Sequence, residues 1–237
     1  MQTILVINSK GGSGKTTLAT NIASYFASRN QKTAIMDYDP QGSSLHWLGM
    51  RPSGAPPIHA ANAAIQKGRL IRSLQMYVPE DTERLVVDAP AGVEGLLLQE
   101  MVGKADFILI PVAPSSIDVH ATADFIKELL LKGGIRRNTT NIAVAANRVR
   151  RSMPVYEPLE RFLRVLSLPF LTRISDSDQY ILAAEQGTGV FEMDEHIVEA
   201  ERKEFQPIVD WLNPGADRHD EAGPGNVVTF NRVQVGA

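Results

Sequence analysis

A chain of 237 residues, 43% hydrophobic and 22% charged, has the composition of one globular α/β domain with a sizeable core. Its net charge of −3 argues against a uniformly basic nucleic-acid binder but leaves room for a local basic patch. Cysteine is absent, which excludes disulfides, thiolate metal sites and iron–sulfur clusters, and the expected setting is the cytoplasm: no apolar run approaches the roughly eighteen residues of a membrane span, and "MQTILVIN" lacks the regions of a signal peptide.

In chain order, a strand is predicted at 3–8 ("TILVIN"), a helix at 15–28, and a strand at 33–37 ("TAIMD"). Residues 51–80, rich in Pro and Ala at first, yield no assignment. A strand at 84–88 ("RLVVD"), a helix at 94–103, a strand at 107–111 ("FILIP"), a helix at 115–132 and a strand at 142–147 ("IAVAAN") follow. Helices at 154–166, 177–186 and 192–212 complete the pattern. The strands are continuously apolar rather than alternating, as strands covered on both faces should be. In the first helix Leu18, Ile22, Tyr25 and Phe26 share a face. The expected fold is α/β: a doubly wound, mostly parallel sheet with helices on both faces. There is no internal repeat and no second domain, so one domain is expected over 1–213. "PGADRHDEAGPGN" (214–226) reads as linker and "VVTFNRVQV" (227–235) is short and strand-like. Residues 214–237 thus read as a flexible tail, with an edge or partner-docking strand as the alternative.

"KGGSGKTT" (10–17) sits between the first strand and the first helix. Gly11, Gly12 and Gly14, with Ser13, let the backbone curl so that successive N–H groups face phosphate oxygens, and the helix N-terminus adds partial positive charge. Lys15 can reach the β- and γ-phosphates and the Thr16 hydroxyl can bind Mg²⁺, with Thr17 next in the loop. Asp88 ends an apolar strand, where a P-loop enzyme places an acid near its metal. "MDYDPQGSS" supplies Asp37 at a strand end and Asp39 just beyond, both at the carboxyl edge of the sheet where ligands bind in such folds. One of these two can instead cap a turn; Asp39, further out, is the better candidate for positioning an attacking water. A phosphate loop has no need of Lys10.

The octapeptide resembles the deviant Walker A loop, KGGxGK[ST][ST], of the ParA/MinD superfamily. "DYDPQGSS", "VVDAPAG", "PVAPSSIDVHAT" (111–122) and "RISDSDQYILAAEQGTGVFE" (173–192) are similar to further segments of small ParA-type proteins, so that the likeness covers about residues 2–212. It implies an ATPase using ATP and Mg²⁺. In the superfamily the first lysine reaches across a face-to-face homodimer to the partner's nucleotide, a role that would fall to Lys10. The likeness further assigns Asp39 to the attacking water, Asp88 to the metal's water shell and Asn147 to the adenine edge. Asn147 can equally be a buried strand-end residue satisfied by backbone. Where many relatives carry Ile-Pro at the second adenine wall, this chain reads Ile174-Ser175.

ParA-like proteins bind non-specific DNA as ATP dimers and answer to a cargo-linked partner protein that stimulates hydrolysis; such a chain would be nucleoid-associated. DNA binding needs clustered cations. Arg148, Arg150 and Arg151 lie in "NRVRR", and Arg161 and Arg164, three apart, share a helix face. Arg136, Arg137, Arg173, Arg202 and Lys203 are further candidates. A MinD-like membrane ATPase is the rival reading, but "GPGNVVTFNRVQVGA" is not a basic amphipathic helix, so no membrane partner is expected. With the loop starting at residue 10, no helix-turn-helix domain is expected ahead of it. Ligases of the dethiobiotin synthetase type share the loop but need a dedicated substrate pocket, and reductase relatives need cysteines.

Overall fold

The computed structural model describes residues 1–64, 78–132, 135, 140–150 and 157–214. Arg136, Arg137, Arg151 and nearly all of the predicted tail lie outside the described residues. The elements are β1 (Gln2–Val6), α1 (Lys15–Ser28), β2 (Thr33–Asp37), α2 (Ser43–Gly49), β3 (Ile58–Asn62), β4 (Arg84–Asp88), α3 (Gly95–Lys104), β5 (Phe107–Val112), α4 (Ser116–Lys132), β6 (Asn141–Val149), α5 (Glu157–Val165), β7 (Phe170–Ser175), α6 (Asp178–Glu185) and α7 (Glu195–Leu212). Three of them, α2, β3 and β7, were not foreseen. α2 is a seven-residue helix, β3 is an alanine-rich edge strand, and β7 is a half-buried edge strand with a polar pattern.

The seven strands run in the order β3-β2-β4-β1-β5-β6-β7, and each described pairing is parallel. Each parallel step needs a crossover; among the described residues α1, α2, α3, α4 and α5 lie in such connections, on both faces of the sheet. Alternation along β1 separates two cores. Ile4 and Val6 pack with Leu18, Ile22 and Phe26 of α1 and with Phe205, Ile208 and Leu212 of α7. Leu5 and Ile7 pack with Leu98 and Val102 of α3, Phe125 and Leu129 of α4, and Leu163 of α5. Both faces of the central strands are therefore apolar, which is why these strands read as unbroken runs.

The register sets the site. Val6, Asp37 and Asp88 stand level at the carboxyl ends of adjacent strands. β4 and β5 flank β1 on opposite sides, so the order reverses there and a crevice opens beyond the end of β1.

One buried ion pair fastens α2 to the far end of the chain. Arg51 donates to Glu192 at 2.7 and 3.0 Å and to the carbonyls of Gly187 and Pro56, and its guanidinium lies 5.0 Å from the Trp47 ring. Both side chains are less than a tenth exposed. Gly187 is at φ 63°, and a Cβ there would meet the Arg51 backbone nitrogen at 2.5 Å. Removing one member of a buried pair leaves the other charge without compensation. Glu192→Ala is expected to lower stability by about 3 kcal/mol in denaturant titration; a loss under about 0.5 kcal/mol would show the pair to be dispensable.

Candidate nucleotide-binding site

The loop of 9–14 leaves β1 and enters α1 with Gly12 at φ 76° and Gly14 at φ 91°. Both are left-handed conformations that favour glycine. At Gly14 a side chain is also excluded by space, because a Cβ would fall 1.7 Å from the Asn147 amide nitrogen. That nitrogen donates to the Ser13 carbonyl at 3.0 Å. The loop is fixed on its other side by Gly92, whose N–H donates to the Ser9 carbonyl at 2.9 Å.

Lys15 is buried, and its ammonium folds back to donate to the Lys10 carbonyl at 3.1 Å. Burial lowers its pKa, against the pull of Asp88 and Asp39. Thr16 donates to Asp88 Oδ2 at 2.8 Å. Asp88 is 1% exposed, and its pKa is pushed up to about 7, first by burial and then by Asp37 and Asp39; the Thr16 hydrogen bond and Lys15 oppose the rise. The loop thus presents left-handed glycines, a buried lysine held only by main chain among the described residues, and a hydroxyl paired with a carboxylate. This donor set fits a nucleoside phosphate with Mg²⁺.

Asp37 and Asp39 divide their tasks. Asp37 is fully buried and accepts from the Asp39 N–H at 2.8 Å, the Ser44 N–H at 3.1 Å and the Ser44 hydroxyl at 2.7 Å. It ties the end of β2 to the start of α2. Asp39 is half-buried and accepts only a local bond, from the Gln41 N–H at 2.9 Å. Lys10 is half-buried, and among the described residues its ammonium has no hydrogen-bond or ion-pair partner.

Residues 4–190 match the model of the CobQ/CobB/MinD/ParA nucleotide-binding domain. The chain belongs to that family. It is 28% identical over 196 residues to "Maintenance of carboxysome distribution protein A" of Halothiobacillus neapolitanus, covering 81% of this chain and 87% of that one. The MinC:MinD complex of Aquifex aeolicus superimposes with a TM-score of 0.65 at 18% identity over 95% of this chain and 98% of that one. A Cyanothece McdA variant in complex with ATP gives 0.63 at 18% identity over 88% and 96%.

In this ParA/MinD-type domain the candidate basic residues fall into three groups. Arg148, at φ 56° in an irregular part of β6, is exposed, as are Arg161 and Arg164 on α5; none of the three forms an ion pair with a described residue. Arg150 and Arg173 are exposed but paired, with Asp176 at 3.4 Å and with Glu160 at 2.5 Å. Lys203 pairs with Glu199 at 2.6 Å, and Arg202 donates to the carbonyls of Val190, Phe191 and Met193, a structural task. Asn8, which sequence reasoning passed over, turns out to be fully buried at the mouth of the loop.

Between about pH 4 and about 7 the folded chain keeps the Asp88 proton that the unfolded chain has released. The folded state therefore binds more protons, and stability falls as pH rises through this window. Without nucleotide or magnesium, Asp88→Asn is expected to melt about 5 °C above the native chain at pH 8, with the gap closing towards pH 5. A gap that does not change with pH would contradict the buried, protonated carboxyl.

Proposed function

We propose that the chain is a positioning ATPase of the ParA type. ATP closes a face-to-face dimer, the dimer binds non-specific DNA, and a cargo-linked partner stimulates hydrolysis and release. The observation that carries this reading is Lys10. Lys15, Thr16 and Asp88 already supply the cation, hydroxyl and carboxylate of a phosphate loop, yet a second lysine stands at the mouth whose ammonium has no partner among the described residues. A cation so placed serves the phosphates of a second copy, much as an arginine finger does in trans.

The reading assigns the remaining roles as follows. Lys15 exchanges the Lys10 carbonyl for β- and γ-phosphate oxygens, and the amides of Gly11, Gly12, Ser13 and Gly14 line the same phosphates with Thr16 and Thr17. Thr16 and Asp88 would hold Mg²⁺ and its water shell, and the ion would neutralise phosphate charge. Asp39, with one carboxylate oxygen left for solvent, orients the attacking water. Asn147, level with the loop, offers its amide to the adenine edge while bracing Ser13. Arg148, Arg150, Arg161 and Arg164, near the β6–β7 edge of the sheet, contribute to the DNA surface, and Arg151, next in the sequence, is assigned to the same task. Dimerisation doubles that surface, so avidity makes DNA binding depend on ATP. The Halothiobacillus relative is named for carboxysome distribution, and a cargo of that kind is the first to test.

No described helix is long and apolar enough to cross a bilayer.

Nucleotide titration, ATP turnover and DNA retention at moderate salt test the proposal. Lys10→Ala is expected to bind ADP within about threefold of the native affinity but to lose hydrolysis by at least about 100-fold. Asp39→Ala is expected to bind ATP and hydrolyse it on the order of 100-fold more slowly, because water orientation belongs to the transition state. The native chain should be retained on DNA with ATP but not with ADP or without nucleotide, with affinity falling steeply in salt. Equal retention in all three conditions, or full turnover by Lys10→Ala, would refute the nucleotide-gated dimer.

A further inference from the structure

Asn8 stands directly ahead of the phosphate loop, and its side chain joins three elements. Its amide nitrogen donates to the Pro111 carbonyl at 2.7 Å, on β5, and to the Thr122 hydroxyl at 3.0 Å, on α4. Its amide oxygen accepts from the Lys10 backbone N–H at 3.2 Å and, more weakly, from the Ser9 hydroxyl at 3.4 Å. Asn8 and Thr122 are both fully buried. A carboxamide offers donors and an acceptor from one short planar group. Aspartate matches its size but supplies no donor when ionised and would bury a charge.

The Lys10 peptide is held from both sides. Asn8 holds its N–H, while Lys15 at 3.1 Å and the Ser13 hydroxyl at 3.2 Å hold its carbonyl. Once Lys15 turns to phosphate, the carbonyl loses its charged partner and the Asn8 bond remains. We propose that Asn8 is a positioning residue for Lys10: its amide, oriented by Thr122 and Pro111, fixes the Lys10 main chain so that the ammonium is presented to the nucleotide of a second copy. The inference rests on the reading of Lys10 given above. It also makes α4 the element whose placement sets the reach of Lys10.

The test uses the full chain with Thr122→Val, which replaces the hydroxyl by a methyl group of similar size, Thr122→Ser, which keeps the hydroxyl, and Asn8→Asp. Each is made alone and with Lys10→Ala, and ADP affinity, turnover at saturating ATP and the melting midpoint are measured. Thr122→Val should keep ADP affinity within about twofold and lower turnover by about tenfold, the scale of one misdirected buried hydrogen bond. Thr122→Ser should recover turnover to within about twofold of native, and Asn8→Asp should lose at least as much as Thr122→Val. In the Lys10→Ala background Thr122→Val should remove nothing further from the residual rate, because both changes act through one group. If Thr122→Val and Asn8→Asp turn over ATP at the native rate while Lys10→Ala does not, the positioning role falls and the proposed function stands. An equal loss of ADP affinity, or additive losses with Lys10→Ala, would assign Asn8 to building the loop and overturn the role. Native turnover by Lys10→Ala would overturn both. Should Asn8→Asp fail to fold, the Thr122 pair decides the matter alone.

Discussion

The carboxylate of Asp88 is the constraint around which the site is arranged. It ends a strand covered on both faces and is almost wholly removed from water. An isolated buried charge is costly, so such a group must be neutral, hydrogen-bonded or close to cations. The Thr16 hydroxyl and the nearby Lys15 ammonium meet that demand in part, and the shift of Asp88 to about 7 marks what they leave unmet. A divalent cation in the crevice would supply the remainder.

That demand ties strand to loop. Thr16 reaches Asp88 only if α1 begins where it does, and α1 begins there because Gly14 turns through a left-handed conformation against Asn147. Gly92 fastens Ser9 from the β4 side, and Asn8 fastens Lys10 from the β5 and α4 side. The loop is thereby braced from β4, β5, β6 and α4. Such bracing favours anion binding, because amides held in place need no reordering when a phosphate arrives.

Much of this was legible in the sequence. The continuous apolar runs located β1, β2, β4, β5 and β6, and the glycines with Lys15 and Thr16 located the loop, because buried parallel strands and a phosphate nest leave local marks. The edge strands left weaker marks. β3 reads "IHAAN" and β7 reads "FLTRIS", each half-covered and neither uniformly apolar. The pairing of Asn8 with Thr122 and Pro111 joins residues more than a hundred positions apart, so no local pattern could announce it. Charge was misleading in another way. Arg202 looked like a surface cation but satisfies three carbonyls, and Arg173 is paired with Glu160, facts of tertiary structure that composition does not carry.

The central claim is that the site is complete only when two copies share it, each lending Lys10 to the other. Mixing Lys10→Ala with Lys15→Ala chains tests it most directly. In a mixed dimer one site combines an intact Lys15 with an intact Lys10 from the opposite chain, while the other site has neither. The account predicts that the mixture hydrolyses ATP although each variant alone does not, with the rate following the amount of mixed dimer seen by light scattering. A mixed dimer that forms and hydrolyses nothing would contradict it.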